Sequence, residues 1–158
     1  MKDVTASHQQ ARYHIGKPAH GHHLMTSNTL PSDRQPTLRL MATPHDTNVA
    51  GDIFGGWIMS QIDIAGAVAA HKRAAGRVVT VAVNSIQFHQ PVFIGDMVSY
   101  YAEIERVGNS SLTVHVDVYA ERDRGIAECV KVTQATLTYV AVDEARKPRP
   151  VPKTEPAS

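Results

Sequence analysis

One long helical pattern, from about Gly56 to Ala75, is followed by nothing but strand patterns. That order limits the folds open to the chain more than any other feature. Ile58, Ile62, Ala65 and Ala69 recur at helical spacing and make a single apolar stripe. Gly66 and the neighbouring alanines suit close packing on a sheet, and Gly76 is placed to end the helix as its C-cap. Ahead of the helix, L-R-L-M-A (Leu38 to Ala42) reads as a short strand. Behind it come R-V-V-T-V-A-V-N-S-I-Q-F, M-V-S-Y-Y-A-E-I-E-R-V, L-T-V-H-V-D-V-Y-A and A-E-C-V-K-V-T-Q-A-T-L-T-Y-V-A-V. In the third of these, Leu112, Val114, Val116 and Val118 fall on one face, and Thr113, His115, Asp117 and Tyr119 on the other. Q-P-V-F-I-G-D, V-G-N-S-S and E-R-D-R-G read as the turns between them. Short turns predict an antiparallel sheet, and a single helix must lie across one of its faces. The expected class is α+β, an antiparallel sheet wrapped around one long central helix.

A chain of 158 residues suits one folded domain. The formal charge of +1 gives no basis for binding nucleic acid or an anionic membrane. One cysteine, Cys129, excludes a disulfide within the chain; in its valine-rich run it is expected to be an inert packed thiol. No apolar stretch reaches the roughly 18 residues of a membrane span, and the N-terminus lacks an apolar secretory core, so a soluble, cytoplasmic protein is expected. Residues 1–36 are rich in His, Ser and Pro and are expected to be a disordered tail. His8, His14, His20, His22 and His23 lie there, and their spacing matches no defined metal site. The folded domain is expected over 37–145, and a Pro-rich basic tail, extended and loose, over 146–158.

From Ile53 to Ala70 the chain has a single charged side chain, Asp63. At ~100° per residue it falls on the margin of the apolar stripe, about two turns from the glycine-rich helix start. A half-buried carboxylate costs free energy unless it is paired or hydrogen-bonded. It is therefore either satisfied by a nearby donor as a structural group, solvent-facing, or placed there to act as a base. Gly51, Gly55 and Gly56 bracket the helix start. They can serve a sharp turn, or they can bring free helix-start N–H groups close to an oxyanion. Asn48 and Asp52 flank this loop and can orient a water or a carbonyl, or simply form the turn; Asp46 reads as an ordinary turn residue.

M-A-T-P-H-D-T-N-V-A-G-D-I-F-G-G-W-I-M-S-Q-I-D, then G-R-V-V-T-V-A-V-N-S-I-Q-F, P-V-F-I-G-D and V-G-N-S-S occur in that order. Together they resemble the YciA-like acyl-CoA thioesterases, which have a hotdog fold, over roughly Leu38 to Pro152. The resemblance implies hydrolysis of acyl-CoA to a free acid and CoA-SH without cofactor or metal. It implies Asp63 as general base or nucleophile, with Asn48 and Asp52 as polar loop partners. Related branches often carry Asn at the position of Asp52. Gly55 and Gly56 would form the oxyanion site. Thr80, Val81, Val83, Asn84 and Ser85 in one strand, and Gly108, Asn109, Ser110 and Ser111 in a turn, fall where family members line the CoA channel. Arg77, Arg146, Lys147 and Arg149 could meet CoA phosphates, the last three equally well as a solvated tail. Phe54, Trp57, Met59 and Phe88 could shape an acyl pocket or belong to the core. The resemblance further implies a double-hotdog dimer, often a trimer of dimers, with its sites at the dimer interface. Two alternatives stay open: a hotdog dehydratase or hydratase that pairs His71 or His89 with a carboxylate, and a non-catalytic acyl-CoA-binding module.

Overall fold

Gly66 shows how tightly the central helix lies on its sheet. A Cβ there would stand 2.3 Å from the Tyr139 hydroxyl, so only glycine lets the two elements approach this closely. In the computed structural model, which describes residues 29–123 and 127–153, the helix α1 spans Gly55–Ala74. The strands are β1 (Leu38–Met41), β2 (Val78–Phe88), β3 (Met97–Val107), β4 (Ser111–Asp123) and β5 (Ala127–Ala141). The five N-terminal histidines, part of the E-R-D-R-G turn and the last five residues lie outside the described residues.

The elements match the sequence pattern, but the connectivity differs from a simple run of hairpins. The sheet order is β1-β3-β4-β5-β2, antiparallel throughout. β2 does not pair with β3. β1 already occupies that edge, with Leu38 opposite Tyr100 and Met41 opposite Met97. β2 therefore pairs with β5 at the far edge, and residues 89–96, of which 90–96 were expected to be a turn, carry the chain across. Asp96 fastens this crossing. Nearly fully buried, it accepts hydrogen bonds from the Phe93 N–H at 2.9 Å and from Arg122 Nε at 3.1 Å. Arg122 also donates to the Pro91 carbonyl and stacks over the Phe93 ring.

One face of β3, β4 and β5 packs on α1. Val98, Tyr100, Val114, Val116, Val118, Ala135, Leu137 and Tyr139 meet Ile58, Ile62, Ala65 and Ala70 in one core. The helix stripe runs through Gly66 and Ala70, while Ala69, expected to be central, is only partly buried. The helix end also differs from expectation. Ala75, not Gly76, takes the left-handed position, at φ 49°, and the N–H groups of Ala75 and Gly76 cap Lys72 and His71 carbonyls, each at 3.2 Å. Gly76 follows at φ 146°, with the Arg149 guanidinium in the space a side chain would need.

The C-terminal segment expected to be loose is instead tied down as far as Pro152. Arg149 donates to the carbonyls of Ala74 and Val142, Arg73 donates to that of Pro152, and Val151 is buried. A guanidinium at the C-terminal end of α1 also complements the helix dipole. On the outer face of the sheet, Arg34, which falls within the 1–36 segment, lies over the Tyr101 ring and pairs with Glu103 and Asp117. Asp117 is further held by Lys131 at 2.7 Å and His115 at 3.1 Å. Burial pushes the Asp117 carboxyl upward, but the bonds and charges of Lys131 and His115 outweigh it and leave it below its usual value.

Asp96→Ala should lower the unfolding free energy by about 3 kcal/mol, measured by urea titration, because it removes the carboxylate partner of the largely buried Arg122 guanidinium and the acceptor of the Phe93 N–H. Asp117, with a folded pKa below its unfolded value, contributes stability above the unfolded value that is lost as pH falls through the folded one. Melting temperature should accordingly drop more steeply below about pH 4 in the wild type than in Asp117→Asn.

Candidate active site

Asp63 sits on the flank of α1 that faces the β5–β2 edge of the sheet and is half-buried. Two hydroxyls reach its Oδ1: Thr80 Oγ1 donates at 2.7 Å and Tyr139 Oη lies at 3.1 Å. These two residues are direct cross-strand partners in the β2–β5 register, so both side chains leave the sheet on the helix side. Tyr139 Oη also lies 3.0 Å from the Asp63 backbone carbonyl. Burial first, then the charge and hydrogen bond of Asp63, push the Tyr139 hydroxyl well above its ordinary pKa, so it remains a proton donor at neutral pH. Asp63 Oδ2 has no hydrogen-bond partner among the described residues. Neither His71 nor His89 bonds to Asp63.

The helix start is built as an amide donor. Phe54 is the N-cap, with extended φ −66° and ψ 127° and no side-chain cap. Its carbonyl takes the Trp57 N–H at 2.9 Å. The N–H groups of Gly55 and Gly56 find no backbone acceptor among the described residues. Two phenyl rings flank them: Phe54, whose ring leaves no room for a Cβ on Gly56, and Phe88, 3.7 Å from the place of a Cβ on Gly55. Both rings are exposed at their outer faces. The loop before them is shaped by Asn48, whose Oδ1 accepts the N–H of Ala50 at 2.9 Å and of Asp52 at 3.2 Å. The Asp52 carboxylate is exposed and has no partner among the described residues. Asp46, as expected, is a turn residue: it accepts from the N–H and hydroxyl of Thr43.

Not every expected site residue converges on Asp63. Thr80 bonds to it directly. Val81, Val83, Asn84 and Ser85 continue along the exposed β2 edge, which bulges between Thr80 and Ala82 and again between Val83 and Ser85. Asn84 Oδ1 accepts from Thr138. The turn Gly108–Ser111 lies against β5 and the C-terminal segment: the Ser110 carbonyl accepts the Ala141 N–H and the Asn109 carbonyl the Val151 N–H. Arg77 joins His71 and Lys72 around a groove floored by Ile64, Val68 and Val78 on the outer side of α1. Arg149 is committed to the helix end, not to solvent. Cys129 is half-buried, and burial pushes its thiol up, which agrees with a packing role. Among the described residues no three His, Cys, Asp or Glu side chains are grouped to hold a metal, and no helix is long and apolar enough to cross a membrane.

The sequence reading missed Tyr139. Its position in a long strand gave no sign of its contact, although Gly66 had marked the helix face where something must come close.

Comparison with known proteins places this architecture. A family model described as the thioesterase superfamily matches residues 50–127. The acyl-CoA thioester hydrolase YciA of Salmonella typhimurium is 47% identical over 117 residues, 73% of this chain and 88% of that protein. A hexameric hotdog-fold thioesterase of Campylobacter jejuni superposes with a TM-score of 0.73 at 47% identity, over 76% of this chain and 92% of that one. An acyl-CoA hydrolase from Staphylococcus aureus, solved with butyryl coenzyme A, coenzyme A and coenzyme A disulfide, superposes at 0.67 with 34% identity, over 73% and 70% of the two chains. Solved variants of that hydrolase replace an aspartate and a threonine 17 positions apart with alanine. Asp63 and Thr80 are separated by the same 17 positions. The five-stranded sheet on one helix is a hotdog fold, and the chain belongs to the thioesterase superfamily, among the YciA-like acyl-CoA thioester hydrolases.

Proposed function

We propose that this protein hydrolyses acyl-CoA thioesters to a free carboxylic acid and CoA-SH, with Asp63 as the catalytic carboxylate. The observation that carries the reading is the state of that side chain. Oδ1 is held by two hydroxyls while Oδ2 has no partner among the described residues, at the half-exposed flank of an otherwise apolar helix. An aspartate bonded through one oxygen, with the other turned toward the open edge of an apolar helix, keeps a lone pair available to a water.

Oδ2 takes a proton from a water as the water oxygen bonds to the thioester carbonyl carbon. The carbonyl π electrons move to oxygen, and helix-start amides stabilise that oxyanion. Its collapse breaks the C–S bond, and the departing thiolate takes up the proton. No step needs a metal or a redox cofactor.

We assign the two halves of this machinery to different chains. Gly55 and Asp63 are eight residues apart on one helix, about 12 Å along its axis. A carbonyl within reach of one amide is out of reach of the other end. The oxyanion donor for Asp63 is accordingly Gly55 or Gly56 of the partner subunit in a homodimer. The β2 edge supports this arrangement. It is long and unpaired on its outer side, and Val81, Val83 and Phe88 are exposed on it beside Met59, Ile64 and Val68 of α1. Such an apolar strand edge is suited to pairing with a second copy. Asn48 and Asp52, at the loop beside the amides, would then approach the reacting water from the partner. A trimer of such dimers, acting as a soluble cytoplasmic enzyme, completes the reading. The folded unit is 37–145, extended by the tied-down segment to Pro152.

Thiol release from a panel of acyl-CoA esters tests the activity and ranks acyl length. Asp63→Asn should lower kcat by at least ~10²-fold while leaving CoA binding intact; near-wild-type turnover would remove Asp63 from the mechanism. Gly55→Pro tests the amide. Proline is tolerated at the first helical position, Phe54 already has the extended backbone it requires, and a Cβ at Gly55 meets the Phe88 ring only at ordinary contact distance, 3.7 Å. The variant should fold and lose ~10²–10³ in rate. Refolding the two inactive variants together should restore activity, since mixed dimers contain one intact site; no recovery would place both groups in one chain.

A further inference from the structure

Tyr139 is a fully buried tyrosine whose hydroxyl is not buried for packing. Its oxygen lies 3.0 Å from the Asp63 carbonyl and 3.1 Å from Asp63 Oδ1. It gets there through a gap in the helix surface: at Gly66 a Cβ would stand 2.3 Å from the hydroxyl oxygen and 3.0 Å from the ring carbon that bears it. Every other side chain at position 66 would close that slot. The tyrosine thus touches the helix at two points of the same residue, its backbone and its carboxylate. Thr80 stands directly opposite in the β2–β5 pairing and donates to the same Oδ1 at 2.7 Å.

We propose that Tyr139 is a positioning residue for the hydrolysis. Through the slot at Gly66 its hydroxyl, together with that of Thr80, fixes Asp63 by Oδ1 and the backbone, so that Oδ2 alone is presented to the water. The inference rests on the assignment of Asp63 above. An aspartate carboxylate on an isolated helix flank can exchange its two oxygens by rotation about its last bond, a soft twofold torsion. The single Tyr139 proton is shared between Oδ1 and the backbone carbonyl of Asp63, and with the Thr80 bond to Oδ1 it restricts that rotation and ties the carboxylate to the height of the helix against β5. This is the kind of supporting shell on which catalytic geometry depends. Thr80 is partly reachable from the exposed edge; Tyr139 is not, and it sets the carboxylate from inside the core.

The test is steady-state kinetics on Tyr139→Phe and Gly66→Ala, with melting temperatures measured alongside. Tyr139→Phe keeps the buried ring and removes the hydroxyl. It should lower kcat about tenfold, the scale of one hydrogen bond to a charged group, with KM unchanged. Gly66→Ala leaves the tyrosine in place but displaces its hydroxyl, and it should give a loss of the same kind. In an Asp63→Asn background, Tyr139→Phe should cost no further activity, because the group it positions is already disabled. A tyrosine that is merely structural would lower melting temperature in both variants, leave kcat untouched, or lower the residual rate equally in either background. Any of these kinetic results in folded protein overturns the inference while leaving the thioesterase reading intact. Absence of thiol release from the wild type would overturn both.

Discussion

The carboxylate of Asp63 and the two hydroxyls that hold it join the three parts of the molecule that matter most. Asp63 belongs to α1, Thr80 to β2 and Tyr139 to β5. A lone carboxylate on an apolar helix would cost more than it returned if it met only hydrocarbon. Here the cost is offset by neutral hydroxyl donors rather than by a cation. That choice matters chemically. A lysine or arginine salt bridge would engage the carboxylate with a full opposite charge. Two hydroxyls engage one oxygen, and the second has no partner among the described residues.

That triad also accounts for the topology. Thr80 and Tyr139 can converge because β2 crosses to the far edge of the sheet and pairs with β5, placing the two residues opposite one another. Were β2 a hairpin partner of β3, as the short intervening segment suggested, Thr80 would lie on the wrong side of the sheet. The crossing in turn depends on residues 89–96 being fixed in place, which is the work of Asp96 and Arg122. The Asp96–Arg122 ion pair therefore underlies where Thr80 stands.

Much of this was legible in the sequence, and the reasons for the rest are specific. The helix and the strands follow from periodicity, since the patterns of α1 and β4 are set by which side must be dry. Asp63 was conspicuous because charge is rare on a face that alanine and isoleucine otherwise fill. The glycines at the helix start could be read as amide donors from local geometry alone. What could not be read was pairing. Which strand lies beside which depends on edge competition between β1 and β2, and no local pattern encodes that. Tyr139 was hidden for the same reason: its role exists only once β5 is laid under Gly66. The C-terminal segment misled in a different way. Its prolines and basic residues suggested a solvated tail, but Arg149 is spent on the carbonyl end of α1 and Val151 on the core. Composition registers charge and proline, not the carbonyls that await them.

The division of the site has a consequence for how activity and assembly are linked. A rigid helix of this length separates its own amide terminus from its own carboxylate by about two turns, and no side-chain motion closes that gap. On the proposed assignment of Asp63 and the helix-start amides, one copy of the fold therefore lacks a complete site. The same β2 edge that carries Thr80 also exposes the apolar side chains that a second copy would cover. Pairing at that edge would bury Val81 and Val83, stiffen the strand from which Thr80 reaches Asp63, and bring the partner's helix start within reach. In this reading dimerisation is a catalytic step completed in advance. On that assignment an isolated subunit would be inactive, and the hydrophobic surface that would otherwise invite aggregation would be the one that assembles the reacting groups.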